Sequence, residues 1–136
     1  QSSVTVDAQI IGQINQGLMV LCAFERSDEL PQLQKMADKL LKYRCFSDEN
    51  DKMNLNVQQV KGGLLLVPQF TLAADTQSGL RPSFSTCKPP EEAANFFEEF
   101  CLICRQSYDQ IEQGKFGANM KVALINDGPV TFRLKT

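Results

Sequence analysis

Two short, unbroken apolar runs constrain this chain more than any other feature. Leu18-Met19-Val20-Leu21-Cys22-Ala23-Phe24 carries seven apolar residues in succession, and Leu64-Leu65-Leu66-Val67, opened by Gly62-Gly63, carries four. Neither alternates, so neither suits a strand with one wet face. Each asks for cover on both sides, and the first is read as a central strand. Two helices offer that cover. Leu30, Leu33, Met36, Ala37, Leu40 and Leu41 recur at three and four, which turns one helix face inward, while Lys35, Lys39 and Lys42 read as its wet side rather than a phosphate track. Pro89-Pro90-Glu91-Glu92 starts the second helix, with proline fixing the first turn and acids favourably set against the dipole. Its inward face is Ala93, Phe96, Phe97, Phe100, Cys101 and Cys104.

Strands are expected elsewhere. Val4-Thr5-Val6 and Gln9 to Ile14, joined by a polar corner at Asp7-Ala8, read as a hairpin, and Asp109 to Phe116, Met120 to Ile125 and Val130 to Leu134 as three further strands. Ser47 to Leu55 is acidic but lacks the glycine and closing glutamate of a calcium loop, so it reads as a solvated turn. With 136 residues, 43% of them apolar and 22% charged, the chain suits one core, and no repeat or linker divides it. The expected class is α/β: one domain over residues 1–136, with mixed β-sheets and two helices packed on one side.

The composition also excludes chemistry. The chain has no histidine, which removes Ser-His, Cys-His and His-metal devices together. Its five cysteines are an odd, scattered set without a secretory leader, which favours a reducing cytoplasm. Cys101-Leu102-Ile103-Cys104 spells CxxC, yet it falls late in an amphipathic helix with no second ligand pair, so packing is preferred to zinc or redox work. No metal and no cofactor are expected. The formal charge of −2 gives no basic field, so non-specific DNA coating is not expected, and no apolar stretch is long enough for a membrane.

What remains for chemistry is backbone and hydroxyl. Pro68 cannot donate to a ladder, so pairing should stop there and free the amides of Phe70 and Thr71 to form a small oxyanion hole. Thr71 is the hydroxyl best placed in that loop. The plain alternative is an edge strand with Thr71 bonded to a neighbour. Gly128-Pro129 marks a turn, and in cis it would aim two carbonyls the same way, enough to tell one hand of a substrate amine from the other. Arg81 and Phe84 offer a cation and an aromatic plane for a phosphate and a base, although Phe84 could simply pack in the core.

Four segments in order carry a resemblance over almost the whole chain. Pro68-Gln69-Phe70-Thr71-Leu72 and Asn126-Asp127-Gly128-Pro129-Val130-Thr131, supported by Lys52-Met53-Asn54-Leu55 and Arg81-Pro82-Ser83-Phe84, resemble the D-aminoacyl-tRNA deacylases. The resemblance implies a layered α/β/β fold and a homodimer in which Gly128-Pro129 of one subunit reaches the Gln69-Phe70-Thr71 pocket of the other. It implies hydrolysis of the ester joining a D-amino acid, or glycine, to the terminal adenosine of tRNA, with L-residues excluded and a ribose hydroxyl helping to activate water. Gln69, Phe70 and Thr71 are then the catalytic candidates, and Met53, Arg81, Phe84, Met120, Gly128 and Pro129 the substrate-binding ones. Pro68 stands where many members carry serine, which leaves Thr71 as the hydroxyl, expected to position rather than attack. Asn119 stands where members often have aspartate, and the family's short N-terminal strand, with its arginine, does not precede Gln1. The competing class is a non-enzymatic RNA-end or nucleic-acid-binding adaptor. A third reading makes Gly128-Pro129 a trans surface turn of a structural domain.

Overall fold

A computed structural model describes residues Gln1–Thr136. Strand β6 (Gly63–Pro68) is its axis, and every one of its residues is buried. Alternation along it divides the core. Leu64 and Leu66 face one cluster, built with helices α1 (Leu30–Lys42) and α2 (Pro90–Ser107), while Leu65 and Val67 face a second with Val4 and Ile14. The helices therefore cover one face of a three-stranded sheet, and a second sheet covers the other. This is the α/β/β layering.

In the first sheet β6 lies between β3 (Gly17–Cys22) and β7 (Ile111–Gln113), parallel to both. The run expected to be central, Leu18 to Phe24, is thus an edge strand, and Leu21 is 40% exposed. Apolarity alone does not separate the two positions. The wholly buried β6 has a partner on each side, whereas β3 buries its faces only partly and has a free edge. It also ends sooner, at Cys22, which pairs with Pro68, the last residue of β6. Phe24 instead packs edge-on against Phe96 at 5.8 Å. The parallel start is close: a Cβ on Gly17 would lie 1.9 Å from the Gly63 carbonyl oxygen, so only glycine fits there.

The second sheet runs β2-β1-β8, antiparallel throughout, from β1 (Ser2–Val6), β2 (Gln9–Ile14) and β8 (Lys121–Leu124). Asp7 and Ala8 both take positive φ, +49° and +64°, which closes the expected hairpin in two residues. In α1, Leu33, Ala37, Leu40 and Leu41 are buried and Met36 packs beside them, but Leu30, at the first turn, is exposed. The inward face of α2 is as expected, with Phe97 fully buried. No helix is long and apolar enough to cross a membrane.

Three sequence expectations need correction. The acidic segment is a small hairpin, β4 (Phe46–Ser47) with β5 (Met53–Leu55), rather than only a solvated turn. Asp48 clamps it, accepting from the amides of Asn50 and Lys52 and from Asn54 Nδ2, and these donors, Lys52 first, hold its carboxyl below the usual range. The strand expected over Asp109 to Phe116 is only β7. Val130 to Leu134 forms no strand, because no ladder edge of the same chain pairs with it. The tail crosses the helical layer instead: Phe132 packs edge-on against Tyr43 at 5.6 Å, and Lys39 Nζ donates to the Lys135 carbonyl at 3.0 Å.

Candidate active site

The site begins where β6 stops. Gln69 makes the last ladder bond, its amide donating to the Cys22 carbonyl at 2.7 Å. The chain then winds into one 3₁₀ turn, Phe70–Ala73. Leu72 donates to Gln69 and Ala74 to Thr71, but the amides of Phe70 and Thr71 open the turn and have no carbonyl behind them. Two adjacent N–H groups are therefore left at the end of a rigid, buried strand. The turn that starts directly after the Gln69 bond carries these two amides away from the ladder.

Both side chains in the turn face solvent. Thr71 is exposed, and its Oγ1 accepts from Gln69 Nε2 at 2.6 Å, which leaves its own proton for a substrate. No carboxylate or amine touches it, so the hydroxyl has no base to make it a nucleophile. The turn is pinned from outside by Thr86 Oγ1, donating to the Ala73 carbonyl at 2.7 Å, and Cys87 Sγ, reaching the Phe70 carbonyl at 3.5 Å. The sequence reading missed these two residues, whose one signal was their place directly after the Arg81-Pro82-Ser83-Phe84 segment.

That segment folds back onto the turn. Asp75 and Ser83 exchange both backbone bonds, at 2.8 and 2.9 Å, closing an exposed loop that carries Arg81. Phe84 meets Phe70 ring to ring at 5.4 Å and stays half exposed, so it forms a platform instead of joining the core. Met120 lies beside Pro68, since both crowd the same side of Gly114, and its Sδ accepts from the Lys115 amide at 3.4 Å. Gln69, Phe70, Thr71, Phe84 and Met120 are thus gathered at one end of β6.

Met53 and Gly128-Pro129 are not joined to them. Met53 is half exposed on β5, and no hydrogen bond links it to the turn. The Gly128-Pro129 peptide is cis, not trans. Its loop is stapled by Asn126, whose Nδ2 donates to Thr131 Oγ1 at 2.9 Å and whose Oδ1 accepts from the Val130 amide at 3.1 Å. The carbonyls of Gly128 and Pro129 take no hydrogen bond, and nothing within the chain ties this exposed loop to Thr71.

On the far side of the 3₁₀ turn opens a cavity of about 500 Å³, walled by Leu72 to Asp75, Ser85, Thr86, Glu25 to Ser27 and Arg133. Apart from Leu72, at the end of the Pro68–Leu72 segment, none of the residues singled out in the sequence lines it. The buried thiols belong to the core. Burial raises the pKa of Cys22, Cys101 and Cys104, the last two to about 12, so they stay protonated and inert. No three His, Cys, Asp or Glu side chains come together as a metal site.

Known proteins resemble this chain along nearly its whole length. The family model described as D-Tyr-tRNA(Tyr) deacylase matches residues 1–135. A D-aminoacyl-tRNA deacylase of Hydrogenovibrio crunogenus (strain DSM 25203 / XCL-2) is 60% identical over 98% of this chain and 93% of its own length. One of Xanthomonas campestris pv. campestris (strain 8004) is 55% identical over 99% and 93%. Among solved structures, a c-Myc DNA unwinding element binding protein superposes with a TM-score of 0.94 at 37% identity, covering 99% of this chain and 92% of that one. A probable eukaryotic D-amino acid tRNA deacylase shares the fold at a TM-score of 0.77 and 16% identity, covering 90% and 87%. The four segments, the α/β/β layering and these matches along the whole chain lead to one conclusion: the chain belongs to the D-Tyr-tRNA(Tyr) deacylase family.

Proposed function

We propose that this protein hydrolyses the ester between a D-amino acid, or glycine, and the 3′-terminal adenosine of tRNA, working in the cytoplasm as a chiral proofreader of translation. The observation that carries the reading is the pair of free amides on Phe70 and Thr71 at the end of β6, in a chain of this family that has no histidine. The ester carbonyl oxygen sits against those amides, and one such donor is worth about 3 to 4 kcal/mol of barrier. Water, deprotonated with help from the neighbouring ribose hydroxyl, adds to the carbonyl carbon. The carbon–oxygen bond to the ribose then breaks, the departing oxygen takes a proton, and free amino acid and tRNA leave. Gln69 fixes the Thr71 hydroxyl, which orients the substrate. Phe84 stacks on the adenine, Arg81 faces phosphate, and Met53 and Met120 border the amino-acid side.

Handedness is read by Gly128 and Pro129, and for that two copies are needed. No bond within one chain carries this loop to Thr71, and its carbonyls are free to accept from a substrate amine. Beside it in the chain Leu124, Ile125 and Val130 are exposed, apolar surface that suits a symmetric partner. A homodimer would cover it and bring the Gly128-Pro129 loop of one subunit to the Thr71 pocket of the other. The ligand is RNA, not DNA, because the ester chemistry requires a ribose and the formal charge of −2 offers no general DNA field. The test is release of D-tyrosine and of L-tyrosine from charged tRNA by the purified protein. The expected result is rapid release of D and none of L above the uncatalysed rate; equal rates, or none with D, overturn the reading.

A further inference from the structure

We propose that the cavity behind the 3₁₀ turn is a phosphodiester subsite, in which Arg26 and Arg133 hold a backbone phosphate of the single-stranded 3′ arm of the substrate RNA. This rests on the functional reading above and extends it from the terminal nucleotide to its neighbour.

Continuity comes first. Leu72 to Asp75 directly follow Thr71, and Ser85 and Thr86 directly follow Phe84, so the two segments that form the pocket also wall the cavity. A chain whose last base lies on Phe84 has its next linkage within a residue or two of that wall. At about 500 Å³ the cavity is of the size that takes a nucleotide-sized ligand.

Charge and preorganisation follow. Arg26 is fixed three times: its amide donates to the Thr86 carbonyl at 2.8 Å, its Nε to the Ser85 carbonyl at 2.9 Å, and its own carbonyl accepts from the buried Lys88 Nζ at 3.5 Å. Its terminal guanidinium nitrogens have no acceptor in the protein. Arg133 has neither a hydrogen-bond nor an ion-pair partner, although the tail that bears it is tethered by Lys39 and by the Lys135–Glu25 ion pair at 3.0 Å. That ion pair also neutralises one of the two acids in the cavity. The other, Asp75, accepts the Gln77 amide on Oδ1 at 2.9 Å. Two forked donors without acceptors thus face one space, a geometry that matches phosphate oxygens.

The experiment compares Arg26→Gln, Arg133→Gln and their combination on two substrates, D-tyrosyl-tRNA and D-tyrosyl-adenosine, the second having no phosphate. For charged tRNA the double variant is expected to raise KM roughly tenfold with kcat within twofold. Its dependence of log KM on log salt should flatten by about 0.7 per lost contact. D-Tyrosyl-adenosine should be hydrolysed as before, Arg133→Lys should keep the salt dependence but recover only part of the tRNA affinity, and Lys61→Asn, at the opposite end of β6, should change nothing. Arg133→Gln removes no contact within the protein, so it keeps the test valid should Arg26→Gln unfold. An unchanged KM for tRNA, or an equal loss on both substrates, overturns the subsite. If the unaltered protein hydrolyses neither substrate, the functional reading fails and takes the subsite with it.

Discussion

Replacing Thr71 by alanine separates positioning from attack. The hydroxyl makes one hydrogen bond, to Gln69 Nε2, and has no base beside it. Removing a single positioning contact of this kind costs about 0.5 to 1.5 kcal/mol, or roughly 2- to 13-fold in rate. Deleting an activated nucleophile costs about 10⁴- to 10⁶-fold. The amides of Phe70 and Thr71 belong to the backbone and survive the substitution, so the proposed oxyanion site remains. The assay is kcat/KM for release of D-tyrosine from charged tRNA, with acid-quenched protein weighed for a covalent adduct. Thr71→Ala is predicted to lose no more than about tenfold and neither form to carry an adduct. A loss beyond about a thousandfold, or an acyl group found on Thr71, refutes the reasoning.

Three further outcomes follow from the packing. Gly17→Ala would place a Cβ 1.9 Å from the Gly63 carbonyl oxygen, backbone against backbone, and should cost roughly 3 to 5 kcal/mol, lowering Tm by about 10 °C or more; a fall under about 3 °C contradicts the close parallel start of β3 and β6. Cys101 and Cys104 stay protonated up to about 12 in the folded chain but ionise near 9 once unfolded, so the stability they contribute is complete below pH 9 and is lost as pH rises toward 12. Urea unfolding should therefore show a lower unfolding free energy at pH 10.5 than at pH 8, and an equal or higher one contradicts the burial of these thiols. Deacylation should keep its rate in EDTA, since no cluster of metal-binding side chains exists, and a tenfold loss on chelation would reveal a metal in the reaction.

Much of the fold was legible because local chemistry decides it. The helix spacing of Leu33, Ala37, Leu40 and Leu41, the two-residue corner at Asp7-Ala8 and the end of β6 at Pro68 each follow from residues close in sequence. What depends on a distant neighbour was not legible. Whether Leu18 to Cys22 lies at the centre or the edge is set by which strands flank β6, and Val130 to Leu134, strand-like in composition, stays unpaired because the tail runs over the helical layer, where Phe132 packs on Tyr43 and Lys39 holds the Lys135 carbonyl. The candidate site divides in the same way. The Gln69 to Thr71 turn could be read from Pro68 onward, and the Phe84 platform from its segment. The cavity joins Arg26 to Arg133 from near the two ends of the chain, and no local pattern announces that.

The central claim is that two copies build each pocket between them. A heterodimer carrying two different tags tests it most directly: one chain has Gln69, Phe70 and Thr71 deleted, which removes both amides, and the other has Gly128 and Pro129 replaced by alanine. Each variant alone should be inactive on D-tyrosyl-tRNA, while the purified heterodimer, with one intact composite pocket of two, should recover about half the activity of the unaltered dimer. A heterodimer as inactive as its parents would contradict the claim, because it would place both loops of each pocket in a single chain.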